Sequence, residues 1–166
     1  MKALEPPASL YLDAARGWHL LGCLKEALEE LQRIPPELQV HPDVLEVRFE
    51  ICATARKWVL CMEIAAAMLD LAPERPTAWI NSAFTLHEMK QTQDAWDALA
   101  TVQHRFPDVP TIPYNLACYA CQLGRLEDSR ELLRRALKIG GGAYKRRALE
   151  DGDLQPLWDE IKLLEV

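Results

Sequence analysis

Small and apolar residues along this chain recur with the step of an α-helix, and the same short pattern returns four times. Ala27, Leu31 and Ile34 are separated by four and then three positions, which draws one stripe along a helix. Cys61, Ala65 and Met68 repeat the stripe 34 residues later, followed by Ala95, Leu99 and Val102 and then by Ser129, Leu133 and Ala136. The leading residue of each set is small, so a second helix can approach closely there. Prolines keep the same period: Pro42, Pro76 and Pro110 are 34 residues apart, as are Pro73 and Pro107. Asp43, Thr77 and Thr111 follow the first set, and Ser9 lies one period upstream. All four are N-cap types, and the pattern predicts that each caps a helix. Gly22 and Gly124 fall between the two helices of a unit, where a left-handed turn favours glycine; Arg56 and Lys90 fill that place in the middle units.

These residues resemble the tetratricopeptide repeat, whose 34-residue units are helix-turn-helix pairs. The fourth unit carries the resemblance best, in Tyr114, Leu116, Ala117, Tyr119, Ala120 and Gly124, followed by Leu133, Ala136 and Leu137. The third contributes Trp79, Ala83, Ala95, Leu99 and Pro107. The resemblance implies an all-α fold: a right-handed superhelical α-solenoid of four units, at about residues 8–41, 42–75, 76–109 and 110–143, forming one domain over 1–166. Three places depart from the pattern. Arg48 and Phe49 replace a Leu-small pair, Gln39 stands where the first unit should have proline, and Pro113 takes an aromatic position. Residues 144–166 read as capping helices split at Gly152, with Asp153 as cap and Pro156 in the first turn. Leu149, Leu154, Leu157, Trp158, Ile161 and Leu164 are placed to cover the last repeat, while Lys145, Arg146, Asp159, Glu160 and Lys162 face water.

Composition narrows the function. The 166 residues carry 25 acidic side chains against 19 Lys and Arg, a net charge of -6 that disfavours a nucleic-acid partner. Residues 1–9 lack the apolar core of a signal peptide, and no stretch reaches the roughly 20 apolar residues of a membrane span. A cytoplasmic protein with no membrane partner is expected. Five cysteines, an odd number, then read as reduced thiols.

Enzymatic motifs are missing: there is no Gly-rich phosphate loop, G-x-S-x-G or H-E-x-x-H, and neither catalysis nor a cofactor is expected. Cys118 and Cys121 form a C-x-x-C that His87 and Glu88 would extend to a zinc or redox site. The motif lies in mid-helix without a second cysteine pair, so packing is favoured and no metal is assigned. His19 and His87 fall two units apart and cannot share an ion, while His41 and His104 read as loop residues.

The expected function is a protein-interaction adaptor or scaffold that binds a peptide on the concave face, built by the first helix of each unit. A secretion-type chaperone and a thiol or zinc protein are the alternatives. The register implied by the resemblance puts Leu12, Asp13, Arg16, His19, Glu46, Val47, Glu50, Ile80, Asn81, Phe84, His87, Glu88, Tyr114, Asn115, Cys118 and Gln122 on that face. By the same resemblance, Asn81 and Asn115 would hydrogen-bond a ligand backbone. Leu12 and Glu46 stand where lysines clamp a chaperone C-terminus in one subgroup, which argues against that ligand. The acids Asp13, Glu46, Glu50 and Glu88 predict a basic peptide with apolar anchors, held chiefly by Phe84 and Tyr114.

Overall fold

The computed structural model describes residues 3–164; the predicted capping segment, 144–166, extends two residues outside that range. Among the described residues ten α-helices follow one another: α1 (Ala8–Leu20), α2 (Leu24–Gln32), α3 (Pro42–Thr54), α4 (Trp58–Leu71), α5 (Pro76–Glu88), α6 (Thr92–Ala100), α7 (Thr111–Gln122), α8 (Leu126–Gly140), α9 (Gly142–Glu150) and α10 (Trp158–Leu163). Short 3₁₀ helices occupy Pro36–Leu38 and Gly152–Leu157, and no strand occurs among the described residues. No described helix is long and apolar enough to cross a membrane. The chain forms two compact units, one ending at Asn81 and the other starting at Ser82.

The small residues that open each stripe are sealed: Ala27, Cys61, Ala95 and Ser129 are all 0% exposed. Leu31, Ala65, Leu99 and Leu133 are buried behind them, as are Ile34, Met68, Val102 and Ala136. In the first unit this stripe packs with Ala8, Leu12 and Ala15 of α1 and Val44, Val47 and Ile51 of α3 into one core.

The tight turns inside the pairs are alike whether or not glycine is present. Gly22, Arg56, Lys90 and Gly124 all have positive φ, at 77°, 54°, 67° and 75°. The amide after each donates back across the turn, from Cys23 to Trp18, Lys57 to Cys52 and Gln91 to Leu86 at 2.9 Å, and from Arg125 to Ala120 at 2.8 Å. This is the six-residue closure of a Schellman motif, and it satisfies carbonyls the helix end would otherwise leave open.

The predicted N-caps are corrected. Pro7 and Pro110 occupy the cap positions of α1 and α7, and His41 caps α3, its Nδ1 accepting from the Asp43 amide at 3.2 Å. Proline's fixed φ and missing donor suit the very start of a helix, so Ser9, Asp43 and Thr77 fall inside the first turn and Thr111 opens it. Three of these side chains bond sideways to another helix or its approach instead. Asp43 accepts from Arg75 at 2.5 Å, Thr77 donates to Glu46 at 2.6 Å, and the hydroxyls of Thr111 and Tyr144 meet at 2.6 Å.

Two departures from the repeat pattern compensate one another. The Gln39 amide donates to the carbonyl oxygens of Leu31 and Ile34, at 2.7 and 2.5 Å, closing the end of α2. Arg48 in turn bonds the Gln39 side chain and, at 3.4 Å, its carbonyl. Phe49 is buried.

The C-terminal segment also differs from expectation. Asp151, not Asp153, is the cap, its carboxylate accepting from the Asp153 amide at 3.1 Å. Pro156 lies within the 3₁₀ helix. Leu154, Leu157 and Ile161 are buried as predicted, with Leu149, Trp158 and Leu164 partly so. Lys145 does not simply face water, because its ammonium holds the carbonyls of Lys162 and Leu164. Gly140 lets this segment turn back: a Cβ there would overlap the Tyr144 ring.

Candidate functional site

The first helices of the units supply the candidate face, and its residues divide between two environments. In the first unit, Leu12 and Val47 are core side chains, so they are not the ligand anchors the sequence suggested. Asp13, Arg16 and Glu50 are exposed, and His19 and Glu46 are half-buried. His19 joins α1 to α3: its Nε2 lies 2.9 Å from the Thr54 hydroxyl, which itself donates to the Glu50 carbonyl at 2.9 Å. His19 Nε2 therefore donates. Its other nitrogen lies 3.9 Å from the Glu50 carboxylate. Glu46 is engaged by Arg75 at 3.3 Å and by Thr77, which leaves Asp13 and Glu50 as the solvent-facing acids; Asp13 sits 3.4 Å from Arg16. Leu20 follows Arg16 by one helical turn on the same side of α1 and is 86% exposed. Sequence reasoning missed Leu20, although its spacing of four from Arg16 and seven from Asp13 was the available signal.

Ile80 and Asn81 of α5 are half-buried, and the Asn81 amide contacts the Met68 sulfur at 3.7 Å. Phe84 and Glu88, later on the same helix, are also half-buried.

In the second compact unit, which begins at Ser82, Tyr114, Asn115 and Cys118 are covered by the chain itself, contrary to the open placement expected from the register. The turn at 151–153 occupies their face. Asp151 accepts from the Tyr114 hydroxyl at 2.8 Å and from the Cys118 thiol at 3.7 Å. Asp153 lies 2.9 Å from His87 Nε2, and its carbonyl accepts from the Gln122 amide at 3.0 Å. His87 Nδ1 lies 3.1 Å from the Thr92 hydroxyl, and its ring packs against Tyr119. Arg147 stacks over the Tyr114 ring at 4.4 Å, and Tyr144 meets the same ring edge-on.

Burial, reinforced by the Asp151 and Asp153 charges, pushes the Cys118 thiol well above its ordinary range. Burial also raises the Tyr114 phenol. Cys121 is buried too, and it is not among the residues whose ligand atoms the fold brings together. Among the described residues, Cys118, Asp151 and Asp153 are brought together instead, with ligand atoms all within 4.8 Å of one another. The Asp-Gly-Asp sequence at 151–153 was the signal for this cluster, but only the fold shows which face it meets.

No protein-family model and no curated protein matches the chain. Solved structures do. A thermophilic TPR protein of Thermus thermophilus matches with a TM-score of 0.75 at 14% identity, over 95% of this chain and 100% of that one. MamA of Desulfovibrio magneticus matches with a TM-score of 0.69 at 19% identity, over 96% and 93%. YrrB, a TPR protein with an unusual peptide-binding site, matches with a TM-score of 0.65 at 15% identity, over 87% and 75%. With the helix pairs and repeated turns described above, these similarities define the class: the chain has the tetratricopeptide-repeat fold, an all-helical α-solenoid architecture.

Proposed function

We propose that this four-repeat chain is a protein-interaction module, not an enzyme, and that it takes up a peptide bearing Lys or Arg beside a large apolar residue. The observation that carries this reading is the exposed side of the first unit, where the acids Asp13 and Glu50 and the apolar Leu20 are all open to solvent and Arg16 is the single base of the predicted set. An acidic rim raises the encounter rate of a basic ligand, and an apolar contact slows its release. The tetratricopeptide fold supports an interaction role in general, and YrrB is a peptide binder with that fold. Tyr114 is not retained as an anchor, because the 151–153 turn already covers it.

Fluorescence anisotropy tests the reading with a labelled Lys- and Leu-bearing peptide and a matched peptide in which Glu replaces Lys. The basic peptide should bind more tightly. Asp13→Lys with Glu50→Lys should slow association and weaken its salt dependence, and Leu20→Asp should weaken affinity about tenfold. Tighter binding of the acidic peptide, or affinities indifferent to all three substitutions, would refute the assignment.

A further inference from the structure

The second compact unit gathers three potential ligands at one point, the Cys118 thiol from α7 and the Asp151 and Asp153 carboxylates from the turn after α9, and sets a fourth, the His87 imidazole from α5, against Asp153. Cys118 Sγ is 3.7 Å from Asp151 Oδ2, and His87 Nε2 is 2.9 Å from Asp153 Oδ2. Zinc binds sulfur at about 2.3 Å and nitrogen or oxygen at about 2.0–2.2 Å, so tetrahedral ligand atoms stand roughly 3.2–3.7 Å apart. The Cys118, Asp151 and Asp153 ligand atoms, all within 4.8 Å of one another, close onto one ion with side-chain movements of about 1 Å or less, and His87 would join them from its place 2.9 Å from Asp153.

The surroundings are those of a supported site. His87 Nδ1 faces the Thr92 hydroxyl, which accepts a hydrogen bond from Nδ1–H when Nε2 turns its lone pair to a metal and donates one to Nδ1 when Nε2 carries hydrogen. A ligand histidine is commonly oriented by such a partner on its other nitrogen. Asp151 is positioned twice, by the Tyr114 hydroxyl and by the Asp153 amide. Arg147, stacked on Tyr114, leaves positive charge close by to balance a thiolate and two carboxylates around a dication.

We propose that Cys118, His87, Asp151 and Asp153 form a binding site for one divalent zinc-class ion, which fastens the C-terminal segment to α5 and α7. The mixed sulfur, nitrogen and oxygen donors suit zinc or cobalt better than the oxygen-seeking calcium or magnesium. Binding displaces the thiol proton of Cys118 to solvent. The sequence had pointed to Cys121 and Glu88 as companions of Cys118 and His87, and the fold replaces those two with Asp151 and Asp153.

The full chain, stripped with a chelator and dialysed, is titrated with Co²⁺ and then with Zn²⁺ in competition. The expected result is one equivalent of cobalt, with the intense visible absorption of a tetrahedral ion, a thiolate-to-metal charge-transfer band, and full displacement by zinc. Cys118→Ser should abolish the charge-transfer band. Asp153→Asn should weaken zinc binding about tenfold or more, and Cys121→Ser should change neither. Circular dichroism of each variant without metal confirms that the helices persist. If a variant fails to fold, the wild-type spectrum and Cys121→Ser still decide. Wild-type protein that takes up no stoichiometric cobalt, or shows no thiolate band, would overturn the site and leave a hydrogen-bonded cluster; so would loss of the band in Cys121→Ser alone.

Discussion

Helices α1 and α7 hold the same place in their repeats, yet α1 buries Ala8, Leu12 and Ala15 while α7 buries every residue from 112 to 121. The repeat pattern specifies the stripe that faces the second helix of a pair, and both helices obey it. What differs is the other side. In α1 it carries Asp13, Arg16 and Leu20 to solvent, whereas in α7 it meets the 151–153 turn and the Tyr144 ring. One repeat element thus serves as an outward surface in the first unit and as an internal scaffold in the second. The neighbours decide which, not the helix itself.

The contrast breaks most completely if the C-terminal segment is removed. Deleting residues 144–166 withdraws Leu154, Leu157 and Ile161, each contributing about 1.5–3 kcal/mol by burial, and uncovers the Tyr114 side of α7. We expect aggregation or loss of a cooperative thermal transition, measured by light scattering and circular dichroism. A truncated chain as soluble and heat-resistant as the full one would show that α7 does not need its cover.

A smaller effect separates the two faces by single residues. Asp151→Ala removes both the partner of the buried Tyr114 hydroxyl and the cap on the 3₁₀ helix, so chemical denaturation should reveal a loss of about 2–4 kcal/mol. Asp13→Ala, on the exposed side of α1, should stay within about 0.5 kcal/mol. Equal losses would mean that the faces are not energetically distinct.

The mildest test is chemical. Cys23 is half-exposed, while Cys52, Cys61, Cys118 and Cys121 are buried, and burial pushes Cys61 up to about 11 and raises the other three. The thiolate is the reactive form. Alkylation of the native protein near neutral pH, followed by mass spectrometry, should therefore label Cys23 first. The buried four should label quickly only in denaturant, where their thiols regain the ordinary value and ionise at lower pH. Rapid labelling of Cys118 in the native chain would show that the 151–153 turn opens readily.

The interior of each helix pair was legible in the sequence because it depends on local spacing. Ala27, Cys61, Ala95 and Ser129 announce close approach by size alone, and a shared left-handed turn could be inferred for Arg56 and Lys90 from the glycines at matching places. The caps were misread because proline moves the helix start to itself, which frees Asp43 and Thr77 for partners about 30 residues away. Helix register placed Asp13, Arg16 and Glu50 at positions that are exposed, but it did not report the burial of Leu12, Val47, Tyr114 or Cys118. Asp151 reaches Tyr114 across 37 positions, and no periodicity reports a contact made by a segment that does not repeat. Gln39 and Arg48 looked like separate irregularities for the same reason, since only their contact shows that one accounts for the other.

Enclosure of α7 on all sides also bears on how such a sequence changes over time. A helix with an open side can exchange residues there at little cost, so its family signature erodes while the fold persists. A helix packed on every side has few neutral substitutions at any position. The stretch in which this chain most plainly keeps the tetratricopeptide pattern, from Tyr114 to Gly124, is the one with the least room to drift, even though the chain shares only 14–19% identity with the three solved structures of its fold compared above.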